Sequence, residues 1–259
     1  MGKLRKYGEL PFRAALIHGG PGAAGEMIPV AKELSRTMDV LEPFQTKNTI
    51  EGQLDELKSV LEENTDLPIT LIGYSWGAWL SLILAAKYPK LIKKLILVSS
   101  GPFESEYASE IMQIRLSRMS ESDKKQVESF VEDLEKQDLK DIDINFVKIG
   151  KLISKADTYD SVESHDNDII YSYEIFQSVW KQAEQLRKSG ELLEYAMMVQ
   201  CPVTAIHGDY DPHPYKGVEE PLSRYIEDFY FILLKNCGHK PWTEKYAKDE
   251  FYKILKQEL

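Results

Sequence analysis

The stretch Gly73-Tyr74-Ser75-Trp76-Gly77 is the most informative part of this chain, and it lies between an apolar run at residues 67–72 and an apolar stretch at residues 78–86. The run before it is typical of a buried strand, and the stretch after it, apolar on every side, is typical of a buried helix. The two glycines let a sharp strand-to-helix turn close without side-chain clashes. The sequence therefore predicts a serine on a strained turn, with the N-terminal dipole of the next helix directed at it.

Strand and helix patterns alternate on both sides of this turn. Apolar runs predict further strands at residues 13–18, 39–42, 95–98, 203–206 and 229–234. Apolar residues at helical spacing predict helices between the early strands, and an amphipathic helix ends the chain. Strands that alternate with helices and are apolar on both faces indicate an α/β protein with a mostly parallel sheet covered on both sides.

Residues 103–196 interrupt this alternation, because they contain helical spacing and no convincing strand. We expect a helical cap (lid) insert there, on a core domain formed by residues 1–102 and 197–259. The chain has a formal net charge of −10, and the insert (residues 103–196) carries −9 of it, with 12 basic and 21 acidic residues. Such a balance disfavours nucleic acid and anionic membranes as partners.

Composition and cysteine content indicate a soluble globular protein of an ordinary kind. Apolar residues make up 43% of the 259 residues and charged residues 29%. Two cysteines are too few to suggest an oxidising compartment, and the basic N-terminus lacks the apolar segment of a signal peptide. We therefore expect a cytoplasmic protein that does not associate with membranes, and the sequence leaves its oligomeric state open.

A serine hydroxyl is a poor nucleophile unless a base accepts its proton and an acid orients that base. At the carboxyl ends of the last two predicted strands, His239 supplies a candidate base, and Asp209 and Asp211 supply two candidate acids. The chain order serine, aspartate, histidine is the one used when the serine lies on a strand-to-helix turn.

In these motifs the chain resembles the serine hydrolases of the α/β-hydrolase fold, and the resemblance covers nearly the whole chain. It implies that Ser75 is the nucleophile and His239 the base. Because the acid of that family follows a strand-Gly-x-x-Asp pattern, the resemblance favours Asp211 over Asp209. The chain departs from the family at one point, because family members usually have a β-hairpin before the predicted strand at 13–18 and only about a dozen residues precede it here. We therefore expect that hairpin to be missing and the sheet to have about six strands.

The family's H-G-x-P loop corresponds to His18-Gly19-Gly20-Pro21-Gly22, which we call the glycine loop. The resemblance implies that the backbone N–H groups of Gly20 and Trp76 form an oxyanion hole. Two such donors stabilise the charge that develops on a carbonyl oxygen under attack, and loss of one typically costs about 3–4 kcal/mol. We expect His18 to order this loop, not to serve as a second base.

The other histidines raise the question of a metal site. His207, Asp209, Asp211 and His213 alternate, and such a cluster can bind a metal ion. Gly208 and Pro212 interrupt the alternation, so the four side chains need not share a face, and we expect neither a metal nor a cofactor. His213 is expected on the loop surface, and His165 falls in the insert without an assignable partner.

These observations predict a serine hydrolase that cleaves a small carboxylic ester or related acyl compound through an acyl-enzyme. The alternative is an aminopeptidase that acts on a short peptide, because the glycine loop and Gly73–Gly77 together also resemble the proline iminopeptidase branch. In that branch, acidic residues of the insert bind the substrate's amine, a role that Glu104, Glu106 and Glu110 would suit unless they form a solvated face. A third interpretation is a non-catalytic binding protein on the same fold.

Overall fold

The apolar runs form the strands of a central sheet in the computed structural model, which describes residues 4–135, 142–162 and 169–259. The strands of the described residues, including two that lie outside this sheet, are β1 (Leu4–Tyr7), β2 (Ala14–Ile17), β3 (Ala23–Ala24), β4 (Val40–Pro43), β5 (Ile69–Tyr74), β6 (Ile92–Val98), β7 (Ile170–Tyr171), β8 (Val203–Gly208) and β9 (Phe229–Leu234).

The helices cover the sheet and fill the insert. They are α1 (Ile28–Leu34), α2 (Ile50–Asn64), α3 (Trp76–Lys87), α4 (Ser105–Ala108), α5 (Ile111–Arg118), α6 (Glu121–Glu135), α7 (Ile142–Ala156), α8 (Tyr173–Ser189), α9 (Glu191–Met198), α10 (Lys216–Tyr225) and α11 (Lys248–Gln257). In the ranges that the structure describes, no helix is both long enough and apolar enough to cross a membrane.

Seven of these strands make the main sheet, in the order β1-β4-β2-β5-β6-β8-β9. β1 runs antiparallel to β4, and the remaining neighbours are parallel. Strands β2, β5 and β8 are buried along their whole length, as expected for strands covered on both faces. The predicted α/β fold with a mostly parallel sheet is confirmed.

The sheet has seven strands instead of about six because β1 adds an antiparallel edge. Arg5 and Tyr7 of this strand both bond to the buried carboxylate of Glu42 on β4, at 3.3 and 3.1 Å. An edge strand that carries Arg5 and Lys6 shows no apolar run, so the pattern that predicted the other strands missed it.

Two separate apolar clusters lie on the two faces of the sheet. One packs α2, α3, α9 and α10 against one face, and the other packs α1 and α11 against the opposite face. Helix α3 is buried almost throughout, as its all-round apolar sequence predicts. This packing fixes the turn between β5 and α3 at the carboxyl edge of the sheet.

The insert leaves the sheet after β6 and returns at β8, with α4 to α9 between them. Its one strand in the described residues, β7, pairs antiparallel with β3 directly after the glycine loop, Ala23 opposite Tyr171 and Ala24 opposite Ile170. No strand was predicted in the insert, and β7 corrects that expectation. A two-residue strand is too short to show an alternating pattern.

Candidate active site

Ser75 occupies the turn between β5 and α3 with a strained backbone. Its φ of 50° and ψ of −114° are uncommon for a residue with a side chain. The turn needs the flanking glycines, because a Cβ on Gly73 would lie 2.4 Å from the Gly77 carbonyl oxygen and one on Gly77 would lie 2.2 Å from that of Ile17. The sequence therefore holds the Ser75 hydroxyl at the edge of the sheet.

Two further predicted residues meet Ser75 there. His239 Nε2 lies 3.2 Å from Ser75 Oγ, and His239 Nδ1 lies 2.7 Å from Asp211 Oδ2. Asp209 does not join them, because its carboxylate accepts the Cys237 N–H at 3.3 Å. Of the two aspartates that the sequence left as candidates, the structure brings Asp211 to the histidine.

The three groups are arranged so that His239 can take the proton of Ser75 while Asp211 orients the imidazole. With Nδ1 facing a carboxylate, the neutral imidazole carries its proton on Nδ1 and offers the lone pair of Nε2 to the serine hydroxyl. Burial raises the pKa of the Asp211 carboxyl, but the imidazoles of His239, His213 and His207 outweigh burial and hold that pKa well below its usual value. Asp211 is thus an anion that can stabilise an imidazolium.

His213 was expected on the loop surface, and that prediction is wrong. Its side chain is buried, its ring stacks on His239 with centroids 4.4 Å apart, and its Nδ1 lies 2.8 Å from Asp211 Oδ1. The reason is local, since the backbone N–H of His213 also donates to Asp211 Oδ1, at 2.9 Å, and this turn brings the ring inward. Burial lowers the pKa of His213 to about 4, so its ring is neutral at pH 7.

Asp211, His213 and His239 are also the described residues that a metal could use, with candidate ligand atoms within 4.8 Å of one another. Both imidazoles, however, direct Nδ1 at a carboxylate oxygen of Asp211, at 2.8 and 2.7 Å. A metal ion in this cluster would have to displace these hydrogen bonds. The geometry therefore fits proton transfer better than metal ligation.

Neutral groups hold the glycine loop. His18 is buried, with Nδ1 2.8 Å from the Gly19 carbonyl oxygen and Nε2 accepting the Gln45 N–H at 3.2 Å. Burial lowers the pKa of His18, which keeps its ring uncharged. The Gln45 side chain donates to the His18 carbonyl at 2.9 Å and accepts the Trp76 indole N–H at 2.8 Å. Gln45 thus connects the glycine loop with the Ser75 turn.

Gly20 and Trp76 border the same cavity as Ser75. Trp76 is the first residue of α3, a position where the backbone N–H has no partner within the helix. Gly20 adopts a φ of 34°, and its carbonyl accepts the Ala23 N–H at 2.9 Å. The structure therefore brings Gly20 and Trp76, the two residues predicted to supply the oxyanion donors, to the wall of the cavity that Ser75 lines.

This cavity has a volume of about 410 Å³ and lies between the carboxyl edge of the sheet and helices α5 to α8. Its charged lining residues form two pairs: Arg115 bonds to Asp157 through two contacts of 2.8 and 2.6 Å, and Lys240 lies 3.2 Å from Glu26. Much of the remaining wall is apolar and comes from the insert: Val127, Phe130, Phe146, Ile149, Phe176 and Trp180.

The carboxylates proposed for an amine lie elsewhere. Glu104 bonds to Arg224 at 2.8 Å, Glu106 and Glu110 are exposed, and none of the three lines the cavity. Within the described residues, Asp157 is the insert carboxylate that lines it, and Arg115 neutralises Asp157. His165, the remaining histidine of the sequence, lies outside the described residues.

The structure adds four residues that the sequence gave no reason to select: Gln45, Arg115, Asp157 and Glu244. The carbonyl of Asp157 accepts the His239 N–H at 2.9 Å. The buried carboxylate of Glu244 accepts the N–H groups of Gly238, Tyr159 and Asp160, each at 2.9 Å. The insert contacts in this set span 40 or more residues, as with Arg115 and Asp157 at a separation of 42, and such contacts leave no local pattern in a sequence.

Comparison with known proteins agrees with this geometry. The sequence model of the family described as alpha/beta hydrolase fold matches residues 16–241, most of the chain. A cis-3-alkyl-4-alkyloxetan-2-one decarboxylase of Shewanella oneidensis is 34% identical over 56 residues, which are 21% of this chain and 18% of that protein. The chain thus matches about a fifth of the length of that curated relative.

Solved structures show the same fold over nearly the whole chain. The structure of VinJ superposes with a TM-score of 0.69 at 16% identity, over 98% of this chain and 93% of that one. Est816, described as an N-acyl homoserine lactone degrading enzyme, gives a TM-score of 0.65 at 14% identity, over 99% of this chain and 96% of that one. At these identities the likeness is one of fold.

Proposed function

The chain belongs to the α/β-hydrolase family, and on this premise we propose that it is a serine hydrolase of a carboxylic ester or related acyl compound. The observation that carries the proposal is the line of contacts from Ser75 through His239 to Asp211, 3.2 and 2.7 Å long, at the polar end of the cavity. A substrate carbonyl that enters this cavity reaches the serine hydroxyl where a base can take its proton.

In this mechanism Ser75 attacks the substrate carbonyl while His239 accepts the hydroxyl proton. The charge on the carbonyl oxygen is stabilised by the N–H groups of Gly20 and Trp76, a donor pair worth about 3–4 kcal/mol per member in comparable sites. His239 then gives the proton to the leaving alcohol, and an acyl group stays on Ser75. Water, deprotonated by His239, cleaves this acyl-enzyme and releases the acid.

The charges around the cavity favour a neutral acyl substrate over one with a free amine. A substrate ammonium group needs an uncommitted carboxylate, because desolvating an unpaired charge is costly. Both described carboxylates of the wall have a cationic partner, Arg115 for Asp157 and Lys240 for Glu26, although Oε2 of Glu26 is buried without a hydrogen-bond partner. We accordingly propose that the insert, residues 103–196, acts as a cap that supplies an apolar surface for the acyl group.

Covalent labelling tests the proposal directly. We expect a fluorophosphonate probe to label the wild-type protein, and Ser75→Ala to abolish both labelling and the hydrolysis of p-nitrophenyl butyrate. Ser223→Ala, which removes an exposed hydroxyl on α10, is the matched control and keeps both. Turnover that survives Ser75→Ala would overturn the assignment of the nucleophile.

Two substrates separate the alternatives. We expect the nitrophenyl ester to be cleaved with a far higher kcat/KM than L-proline 2-naphthylamide. The opposite preference would favour an aminopeptidase of the proline iminopeptidase type. A protein that reacts with neither substrate nor with any activated ester would instead be a non-catalytic binding protein.

A further inference from the structure

The apolar part of the cavity is one continuous compartment formed by the insert. Along α7, the residues that line it are Phe146, Ile149, Gly150, Ile153 and Ser154, spaced so that they share one face of the helix. The charged lining residues lie at the other end, where Arg115 and Asp157 contact His213 and the backbone of His239. The cavity is thus polar at Ser75 and apolar toward α6, α7 and α8.

Aromatic rings of α7 and α8 give this compartment a fixed wall. Phe146 and Phe176 have ring centroids 4.8 Å apart, and Phe176 stacks on Trp180 at 6.3 Å with nearly parallel planes. Trp180 in turn stacks on the buried Trp79 of α3, 6.1 Å away. A wall anchored in the core in this way has a defined distance from Ser75.

The entrance is apolar as well. Met112 on α5 and Val131 on α6 both line the cavity, and both remain about half exposed, at 46% and 47%. Exposed apolar residues at the rim of a cavity are typical of a site that receives an apolar ligand.

Gly150 is the gap in the α7 face. A Cβ built at this position meets no atom within 4 Å, although side chains of the same helix face line the cavity on either side of it. Glycine in the middle of a helix costs up to about 1 kcal/mol relative to alanine, so helix formation does not favour this residue here. The space that a side chain would fill is therefore open to a ligand.

We propose that the compartment between α6, α7 and α8 takes the hydrocarbon chain of the acyl group, and that Gly150 determines how long a chain it accepts. This inference rests on the proposed function, since it assigns a substrate class to the same cavity. The chain lies against the aromatic wall with its carbonyl at Ser75, and the missing side chain at position 150 extends the compartment.

The test measures chain-length dependence with and without hydrolysis. In a Ser75→Ala background, straight-chain 1-alkanols of increasing length are titrated by calorimetry into the protein with Gly150, with Gly150→Ala and with Gly150→Leu. Affinity is expected to rise about fourfold per added methylene until the compartment is full. In Gly150→Leu this rise should end about two to four carbons earlier, because four side-chain carbons occupy the close-packed space.

Lys151→Leu places the same side chain at an exposed position of the same helix and should leave the dependence of alkanol affinity on chain length unchanged. In proteins that retain Ser75, the preferred p-nitrophenyl ester should shorten by the same number of carbons in Gly150→Leu, whereas Lys151→Leu should keep the wild-type preference. Identical series for Gly150 and Gly150→Leu, or an affinity independent of chain length, would overturn the inference. Normal alkanol binding without ester hydrolysis would instead refute the proposed function alone.

Discussion

The two loops that flank Ser75 are held in place by different kinds of group. The glycine loop rests on neutral side chains, with His18, Gln45 and the Trp76 indole joined by hydrogen bonds. The histidine loop, residues 236–242, is anchored by two residues with buried carboxylates: the Glu244 carboxylate accepts the Gly238 N–H, and the backbone carbonyl of Asp157, whose side chain is paired with Arg115, accepts the His239 N–H.

This difference follows from what each loop has to do. An oxyanion hole must offer positive dipoles to a developing negative charge, and an unpaired carboxylate beside it would oppose that charge. The Glu26 carboxylate, which lies next to Gly19, is paired with Lys240 of the histidine loop at 3.2 Å. A histidine that becomes an imidazolium is instead stabilised by nearby anions. The insert contacts the histidine loop through the Arg115–Asp157 pair, whereas it contacts the glycine loop through the backbone, where the Ser172 N–H donates to the Gly22 carbonyl at 2.9 Å.

The largest expected effect on stability comes from removing the buried anchor of the histidine loop. Glu244→Ala removes the acceptor of three N–H groups, the buried one of Gly238 and the part-buried ones of Tyr159 and Asp160. A buried donor left without an acceptor costs about 1–3 kcal/mol and the part-buried donors cost less, so the free energy of unfolding in urea should fall by about 2–4 kcal/mol. Glu244→Gln keeps one acceptor oxygen and should lose less.

Glu227→Ala removes an exposed carboxylate just before β9 and should change the unfolding free energy by no more than about 0.5 kcal/mol. An unfolding curve for Glu244→Ala that coincides with that of Glu227→Ala would contradict the anchoring role.

A smaller decrease in stability is expected when the pH is lowered, and it arises from His213, whose ring stacks on His239 of the histidine loop. Burial lowers the pKa of His213 to about 4, against about 6.5 in the unfolded chain. As the pH falls below 6.5 the unfolded chain takes up a proton that the folded protein does not, so stability decreases. Between pH 7 and pH 5 the loss from this one group is about 2 kcal/mol.

Urea unfolding at the two pH values checks this, with His213→Gln as the comparison. The variant has no imidazole at this position and should lose about 2 kcal/mol less than the wild type over the same interval. If both proteins lose the same amount, the effect comes from another histidine such as His18, whose pKa burial also lowers.

The sequence was sufficient to predict the fold and to select Ser75 and His239, because each depends on a short segment. It left Asp209 and Asp211 as alternatives, between which the family resemblance favoured Asp211, the residue that lies 2.7 Å from His239. Strands and helices follow from local periodicity, and the Ser75 turn follows from two glycines at fixed spacing. The edge strand β1 and the two-residue β7 escaped prediction because neither has enough apolar residues to make a pattern.

The residues that surround the candidate site could not be predicted from local sequence patterns. His213 was misplaced because a turn around Asp211, not its apolar neighbours, decides where the ring points. Asp157 is one of 21 acidic residues in the insert, and only its pairing with Arg115, 42 residues away, distinguishes it. Pairings of this kind depend on tertiary packing, which no local pattern records.

The smallest expected effect is a decrease in kcat when Gln45, which supports the glycine loop, is replaced. Gln45→Met keeps the size of the side chain and removes its bonds to the His18 carbonyl and the Trp76 indole. Because Gln53 also accepts the indole N–H, at 3.1 Å, the turn keeps one partner. We expect kcat for the ester to fall about tenfold with KM nearly unchanged, the equivalent of about 1.4 kcal/mol, close to the net contribution of one hydrogen bond.

Gln53→Met is the matched control, since it leaves the His18 carbonyl bonded and should lower kcat less. The double variant removes both acceptors of the Trp76 indole and should lower kcat by more than the product of the two single effects. A purely structural role for Gln45 would reduce the unfolding free energy without this change in kcat. Equal kcat values for Gln45→Met and the wild type would show that the glycine loop keeps its position without the glutamine.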